Sequence, residues 1–160
     1  MRARGFTMVE LIAVMLVIGI LAAIGVPRLV DGYGNAPQVY RDQVLSGLRI
    51  AQKNATARRR VVCVTASSSA MVLRISAAAG VPGNCTAALA GIGDDDYRSS
   101  RADVTSGGLA GPGKLLYFLP DGTITTDAAG QAAAIGNVTI LAGGIQQFAI
   151  GVDGRTGHVE

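Results

Sequence analysis

Residues 4–27 read Arg-Gly-Phe-Thr-Met-Val-Glu-Leu-Ile-Ala-Val-Met-Leu-Val-Ile-Gly-Ile-Leu-Ala-Ala-Ile-Gly-Val-Pro. Between residues 6 and 26 this stretch carries a single charged side chain, Glu10. At about 1.5 Å per residue, a helix of that length spans about 31 Å, close to the thickness of a bilayer's hydrocarbon core. Because only hydrogen bonds within the segment satisfy a lipid-exposed backbone, the stretch predicts a transmembrane helix over residues 6–26.

Glu10 is an acidic residue near the start of this apolar run. A carboxylate inside a membrane helix costs up to about 3 kcal/mol and therefore indicates a functional site, unless it lies solvated at the headgroup boundary. Processing is a second open question, because an ordinary secretory signal peptide also begins with a short basic segment that is followed by an apolar run. Ala23-Ile24-Gly25 offers a weak small-x-small cleavage site for that interpretation. The charge of Glu10 inside the apolar run and the proline at position 27, just after this cleavage site, argue against a secretory signal peptide.

The residues around Glu10 form the pattern Gly5-Phe6-Thr7-Met8-Val9-Glu10-Leu11. This pattern resembles the class III signal of type IV pilins and type II secretion pseudopilins. The resemblance implies that residues 1–5 are a prepilin leader peptide and that prepilin peptidase cuts after Gly5. It also implies N-methylation of Phe6 as the new first residue, and a role for Glu10 in filament assembly.

Composition limits what can follow the apolar run. The chain has 160 residues, 22 glycines and only 4% aromatic residues, which predicts one modest core built mainly from aliphatic side chains. The formal net charge of +3 argues against a strongly basic surface overall, but not against a local basic patch.

Two cysteines are present, Cys63 and Cys85. If the chain beyond the apolar run is periplasmic, that compartment permits a disulfide between them, and two reduced buried thiols are the alternative. A metal site is not expected, because the sequence has no Cys-x-x-Cys and His158 is its only histidine.

A second helical pattern follows a region that is rich in glycine and proline. Pro27 and the glycines and proline of residues 32–37 predict a kink or an interruption, after which the helix continues to residue 60. From Val39 onward apolar residues recur at spacings of three or four: Tyr40, Val44, Leu48, Ala51 and Ala55. Polar residues occupy the opposite side: Arg41, Asp42, Arg49, Lys53 and Asn54. This amphipathic half is expected to pack on a sheet.

Residues 61–160 show strand patterns. Two hairpins are predicted, one joining residues 61–65 to 71–75 and one joining 115–119 to 123–125 across Pro120-Asp121-Gly122. Further strands are predicted near residues 103–105, at 138–141, through alternating Phe148, Ile150 and Val152, and at the end before Val159. Helix first and strands afterwards predict an α+β domain with the helix packed on an antiparallel sheet.

This order of elements resembles the GspH/FimT group of pseudopilins and minor pilins. The chain also resembles the MshC-type minor pilins of the mannose-sensitive haemagglutinin (MSHA) pilus system. The resembling blocks are residues 42–53, 59–64, 85–91 and 156–159. The resemblance implies a minor pilin or pseudopilin of a type IV pilus or a type II secretion filament. It implies a single pass through the inner membrane and a periplasmic globular domain. The implied partners are prepilin peptidase/N-methyltransferase, other pilins, the inner-membrane assembly platform and membrane lipid.

Two sequence features suggest a different function, a phosphate-binding loop and a calcium site, and the sequence favours neither. Residues 108–114 have the spacing of a phosphate-binding loop, but Leu115 stands where Ser or Thr holds magnesium, and a strand follows where a helix is needed. Asp94-Asp95-Asp96 lack the alternating oxygen ligands of an EF-hand, so a solvated charge run is favoured over a calcium site. No catalytic constellation is present, so neither an enzyme nor a cofactor is predicted.

Basic residues cluster toward the end of the second helix: Arg49, Lys53, Arg58, Arg59 and Arg60. Cations there complement the helix dipole. The functional alternative is a contact with DNA phosphates, since FimT-like minor pilins serve DNA uptake in some bacteria. Those proteins share a carboxy-terminal Gly-Arg-x-Arg, and Gly154-Arg155-Thr156-Gly157 keeps only its first arginine. Nucleic acid is therefore not expected among the partners, and Arg58, Arg59, Arg60 and Arg155 remain the candidate DNA contacts.

Overall fold

The computed structural model describes the backbone of residues 7–30, 35–79 and 84–160 and, except at residues 24–30, their side chains. The chain divides into two compact units, Met1–Asn35 and Ala36–Glu160. The predicted leader, residues 1–5, and the glycines at positions 32 and 34 lie outside the described residues.

Helix α1 spans Met8–Val30. It continues past Pro27, so the helix is not interrupted at the proline itself. The large apolar side chains between Met8 and Leu21 are exposed, by 81% at Met8 and 64% at Leu21. No helix in the described part of the chain meets the combination of length and apolarity that a membrane crossing requires.

Helix α2 spans Ala36–Arg58 and supplies the helical layer of the second unit. The apolar stripe predicted from the sequence is confirmed, because all five of its members are buried: Tyr40, Val44, Leu48, Ala51 and Ala55. Ala36 and Gly47 complete the buried face. The terminal methyl of Met71 and the ring of Tyr97 occupy the space beside Gly47, where a larger residue would require these side chains to shift.

The second unit has nine strands within the described residues. They are β1 Val62–Ala66, β2 Met71–Ile75, β3 Ala87–Ala88, β4 Val104–Gly108, β5 Leu115–Phe118, β6 Ile124–Thr125, β7 Ile135–Ala142, β8 Ile145–Asp153 and β9 His158–Val159. The two hairpins predicted from the sequence are confirmed: β1 pairs with β2, and β5 pairs with β6.

The strands form two antiparallel sheets rather than the one sheet that was expected. The first has the order β3-β2-β1-β5-β6 and the second β4-β7-β8-β9. The division depends on long-range pairing, since Val62 on β1 pairs with Phe118 on β5 whereas β4 pairs with β7. No local pattern specifies such partners. Strand β3 was also missed, because two alanines carry no strand signal.

A hydrophobic core lies between α2 and both sheets. Helix α2 packs against strands of the first sheet, including β1 and β2, and of the second, including β7 and β8. Inward-facing residues of both sheets are fully buried, among them Val62, Phe118, Ile140 and Ile150. The fold is therefore α+β, a helix followed by antiparallel sheets, as predicted.

Candidate functional site

The predicted processing residues Gly5 and Phe6 lie outside the described residues, and the described part of the chain begins at Thr7. Thr7 caps helix α1. Its side-chain oxygen accepts a hydrogen bond from the Glu10 backbone N–H at 3.3 Å, and its carbonyl oxygen accepts one from the Leu11 N–H at 3.2 Å. The Thr-x-x-Glu spacing is that of a capping box. Sequence reasoning did not use this signal, although it is present at residues 7–10.

Glu10 lies in the first turn of α1 and is exposed. A carboxylate at this end of a helix is stabilised by the helix dipole, by about 0.3–1 kcal/mol at an exposed site. The bond to Thr7 uses the backbone N–H of Glu10 and leaves its side-chain oxygens open to a cation. Glu10 therefore combines a structural contribution at the helix start with an accessible negative charge near the predicted new amino terminus.

One face of α1 carries a shallow, open apolar groove. It is lined by residues that recur every three or four positions: Ile12, Met15, Leu16, Gly19, Ile20 and Ala23. An added Cβ at Gly19 would meet no atom within 4 Å, so the glycine leaves an open notch in the middle of this face. Small residues at such positions let a second helix approach closely in lipid.

Cys63 and Cys85 form a disulfide, with their Cα atoms 5.9 Å apart. Cys63 lies on β1 and is buried at 3% exposure, whereas Cys85 is half-buried and precedes β3. The bond closes a loop between residues separated by 22 positions. The disulfide that the cysteine count favoured is present, so neither cysteine is a free thiol.

The predicted basic cluster lies where α2 ends. Arg58 is its last residue, and Arg59 has a left-handed backbone with φ of 52°. The Arg59 N–H donates to the Thr56 carbonyl at 3.4 Å, and the Arg60 N–H donates to the Ala55 carbonyl at 3.2 Å. This is a Schellman ending with arginine in the position that usually holds glycine. Among the described residues, none of the three arginines forms an ion pair.

Arg155 lies in the turn between β8 and β9 and is exposed. Its backbone N–H donates to an Asp153 carboxylate oxygen at 3.0 Å. The two glycines near it are buried and tightly enclosed. An added Cβ at Gly154 would collide with the Ile124 carbonyl oxygen, and one at Gly157, where φ is 71°, would collide with the Gly122 carbonyl oxygen. The position at which the Gly-Arg-x-Arg pattern has its second arginine therefore has no room for a side chain here.

Helix α2 contacts this turn and the β9 strand that follows it through two side chains. Gln52 donates its amide hydrogens to the carbonyl oxygens of Gly157 at 2.7 Å and of Gly122 at 3.2 Å. Arg49 donates to the Val159 carbonyl at 3.2 Å. The Thr123 hydroxyl and backbone N–H both donate to the Asp121 carboxylate beside Gly122, which holds the pKa of that carboxyl below its ordinary value. These polar contacts join α2 to the turns at residues 120–123 and 153–157.

The aspartates at positions 94–96 are all engaged in local contacts. Asp94 pairs with Arg74 at 2.6 Å, Asp95 pairs with Arg98 at 2.8 Å, and the Asp96 carboxylate accepts the Gly93 N–H at 2.5 Å. Burial raises the pKa of neighbouring Tyr97, and the Asp96 charge adds to that effect. Within the part of the chain that the structure describes, no group of acidic, histidine or cysteine side chains is arranged to hold a metal ion.

The loop at residues 108–114 is a turn between two strands. Gly108 ends β4 and Gly113 precedes β5, both with a left-handed backbone. The Gly113 N–H donates to the Ala66 carbonyl at 3.0 Å, which ties the turn to the end of β1.

His158 lies on β9 and pairs with Glu160 at 3.2 Å when protonated. Neither the loop at residues 108–114 nor His158 has the geometry of a phosphate-binding or catalytic site.

The amino terminus matches a known family motif. Residues 1–26 match the prokaryotic N-terminal methylation motif. This match covers the predicted cleavage residues, the capped start of α1 and Glu10. It supports the prediction of a type IV pilin-like protein that was made from residues 5–11.

The comparison with curated proteins gives a related result. Over 60 residues the chain is 45% identical to the "Type IV narrow pilus major component PilA5" of Thermus thermophilus. The aligned region covers 38% of this chain and 52% of that protein, so the chain spans about half the length of the relative it matches. No solved structure is significantly similar to the chain. Together the two matches support the prediction of a type IV pilin-like protein.

Proposed function

We propose that this protein is a subunit of a type IV pilus-like filament that is assembled through its amino-terminal helix. The observation that carries the proposal is the methylation motif of residues 1–26, combined with a helix that starts at Met8 and exposes its apolar side chains. Prepilin peptidase/N-methyltransferase cuts after Gly5 and methylates Phe6 in this proposal. Residues 6–26, with one charge in a long apolar run, anchor the chain in the inner membrane before assembly.

The globular part fits a periplasmic domain. Its disulfide requires an oxidising compartment, which the periplasm supplies and the bacterial cytoplasm does not. The membrane segment would thus cross once, with residues 61–160 on the periplasmic side and the leader on the cytoplasmic side. The inner-membrane assembly platform and neighbouring pilins are then the partners.

Filament packing is attributed to α1. Its groove, centred on Gly19, suits the apolar face of a second helix of the same kind. Within the pilin class we propose a minor pilin of the GspH/FimT group, similar to MshC of the MSHA system. The relative from Thermus thermophilus is a pilus component, which favours a pilus over a type II secretion filament.

Processing provides the direct test. Intact-mass measurement of protein purified from membranes should show loss of residues 1–5 and addition of one methyl group at Phe6. A Gly5→Leu variant is the matched control and should keep the leader. A mature amino terminus at Val26, as after ordinary signal-peptide cleavage, would refute the proposed anchoring and assembly.

DNA uptake is a weaker alternative. Its support is that Arg58, Arg59 and Arg155 are exposed and form no ion pair within the described residues. Against it, Gly157 excludes the second arginine of the FimT-like pattern. A mobility shift of short duplex DNA with full-length protein in detergent tests it. Binding that weakens with salt and with Arg155→Ala would support DNA uptake, and absence of binding at low salt would exclude it.

A further inference from the structure

Strand β3 is an edge strand of the five-stranded sheet, and its own residues make few contacts that would keep it in that position. It consists of Ala87 and Ala88, which pair with Ile75 and Arg74 on β2. Alanine has low strand propensity, and two residue pairs supply only a short ladder. The edge position of β3 must therefore be maintained by residues next to it.

Two contacts flank β3. On one side, Cys85 is bonded to Cys63, which lies on β1 and faces Arg74 across the β1–β2 ladder. On the other side, Leu89 is buried at 1% exposure as part of the core. The disulfide thus links Cys85, two residues before β3, to β1, which is separated from β3 by β2 in the sheet. When that bond is broken, the segment loses its covalent tie to β1 and keeps only the core contact of Leu89 and the partial burial of Ala87 among these contacts.

We propose that the Cys63–Cys85 disulfide is a redox-sensitive latch that keeps β3 on the edge of the sheet. A dithiol reductant breaks the bond by supplying two electrons and two protons. Cys63 and Cys85 become thiols and the reductant becomes a disulfide. Residues 84–88 then leave β2, whose outer edge loses the strand that covers it.

The opening is local because the rest of the unit is held independently. Strand β1 stays between β2 and β5, through five and four residue pairs respectively. The Met71 N–H at the other end of β2 donates to the Tyr97 carbonyl at 3.0 Å, and Tyr97 is itself buried. Local opening of a short edge element with a preserved core is the general behaviour of weakly held segments.

An opened latch changes the surface that the subunit presents. The edge of β2 then exposes backbone donors and acceptors next to alternating buried side chains, and such edges pair readily with other strands. The disulfide therefore protects this edge in the oxidised protein. A subunit that reached its destination reduced would carry an unprotected edge.

Hydrogen exchange measured by mass spectrometry on the full-length chain in detergent tests the latch. The oxidised protein is compared with protein treated with dithiothreitol and with Cys85→Ala. Exchange in peptides covering residues 84–90 should become at least about tenfold faster in both, with a smaller increase at residues 71–75, while β7 and β8 change less than about threefold. Adding dithiothreitol to Cys85→Ala is the matched control and should have no further effect.

Two results would overturn the proposal. Unchanged exchange of residues 84–90 after reduction would mean that Leu89 and the ladder hold β3 without the bond. Equally accelerated exchange in all strands would mean that the disulfide stabilises the whole fold rather than one edge. The reduced wild-type protein keeps the test valid if Cys85→Ala fails to fold, because it starts from the native state.

Discussion

Gln52 on α2 joins two turns that are far apart in sequence, through its bonds to Gly157 at 2.7 Å and Gly122 at 3.2 Å. Its amide can donate both hydrogens at once, and both acceptors are backbone carbonyls. The end of the chain and the tip of the β5–β6 hairpin are therefore fixed to the helix by one side chain. This relationship allows a substitution, Gln52→Glu, that keeps the shape of the side chain and replaces the donating amide by a carboxyl group.

Gln52→Ala should lower the free energy of unfolding by about 1–3 kcal/mol, because two partly buried carbonyls lose their donor. Gln52→Glu should be worse at neutral pH, since an ionised carboxylate cannot donate and faces two oxygens. The folded-state pKa of that Glu would be raised, so its stability is highest below the unfolded pKa of about 4.3 and falls as pH rises. Urea denaturation between pH 4 and 7 measures this. A Gln52→Glu protein as stable as wild type at pH 7 would contradict the assigned bonds.

Gly157→Ala should destabilise the fold more than Gly113→Ala, although both glycines have nearly the same backbone, with φ of 71° and 74°. Alanine in the left-handed region costs about 1–2 kcal/mol at either position. At Gly157 the Cβ also meets the Gly122 carbonyl oxygen, whereas at Gly113 it meets nothing within 4 Å. We expect a further loss of about 1–3 kcal/mol at Gly157. Equal losses of unfolding free energy in the two variants would show that the turn has room for a side chain.

Arg59→Gly should stabilise the protein by about 0.5–1 kcal/mol, because glycine adopts the left-handed backbone at the end of α2 without strain. Arg58→Gly removes the same charge from a helical residue and should destabilise by about 0.5 kcal/mol. Thermal denaturation followed by circular dichroism compares the two. Destabilisation by Arg59→Gly would mean that the guanidinium makes a contribution that exceeds the backbone strain.

Acid stability should depend on Asp127. Its carboxylate accepts the backbone N–H groups of Ala132 at 2.6 Å and Gln131 at 3.1 Å, and these bonds lower its pKa from the ordinary value of 3.8. The stabilisation is present above that ordinary value and is lost as pH falls through the lower folded-state pKa. Asp127→Asn should therefore show a smaller decrease in melting temperature between pH 4 and 2 than the wild type. An identical pH profile in the two proteins would refute this role.

The sequence predicted the elements whose signals are local. The buried face of α2 follows from a spacing of three and four, and the β5–β6 hairpin follows from Pro120-Asp121-Gly122 between apolar runs. The division into two sheets depends on which strands meet, as when β1 pairs with β5, and no local pattern encodes that pairing. Gln52 was missed for the same reason, since its acceptors lie 70 and 105 positions away. The methylation motif was found because it is contiguous.

The remaining prediction concerns Glu10 and rests on the proposed filament. An unpaired carboxylate among packed apolar helices is costly, and cleavage after Gly5 would supply a cation, the α-amino group of Phe6, four residues away. A pair between them, within one subunit or between neighbours, would fix the axial register of the helices. Glu10→Leu and Glu10→Gln should therefore leave cleavage intact and reduce the amount of subunit in sheared filaments, as measured by immunoblotting.

Thr7→Ala separates this role from helix capping. The Glu10 N–H that bonds Thr7 belongs to the backbone and persists in both Glu10 variants, whereas Thr7→Ala removes the acceptor and keeps the carboxylate. Loss of the cap costs about 1 kcal/mol at the helix start, which lipid and neighbouring helices are expected to offset, so Thr7→Ala should be incorporated almost normally. If Thr7→Ala is lost from filaments as completely as Glu10→Leu, capping rather than charge pairing explains the requirement. If Glu10→Leu is recovered at wild-type amounts, the carboxylate has no role in assembly.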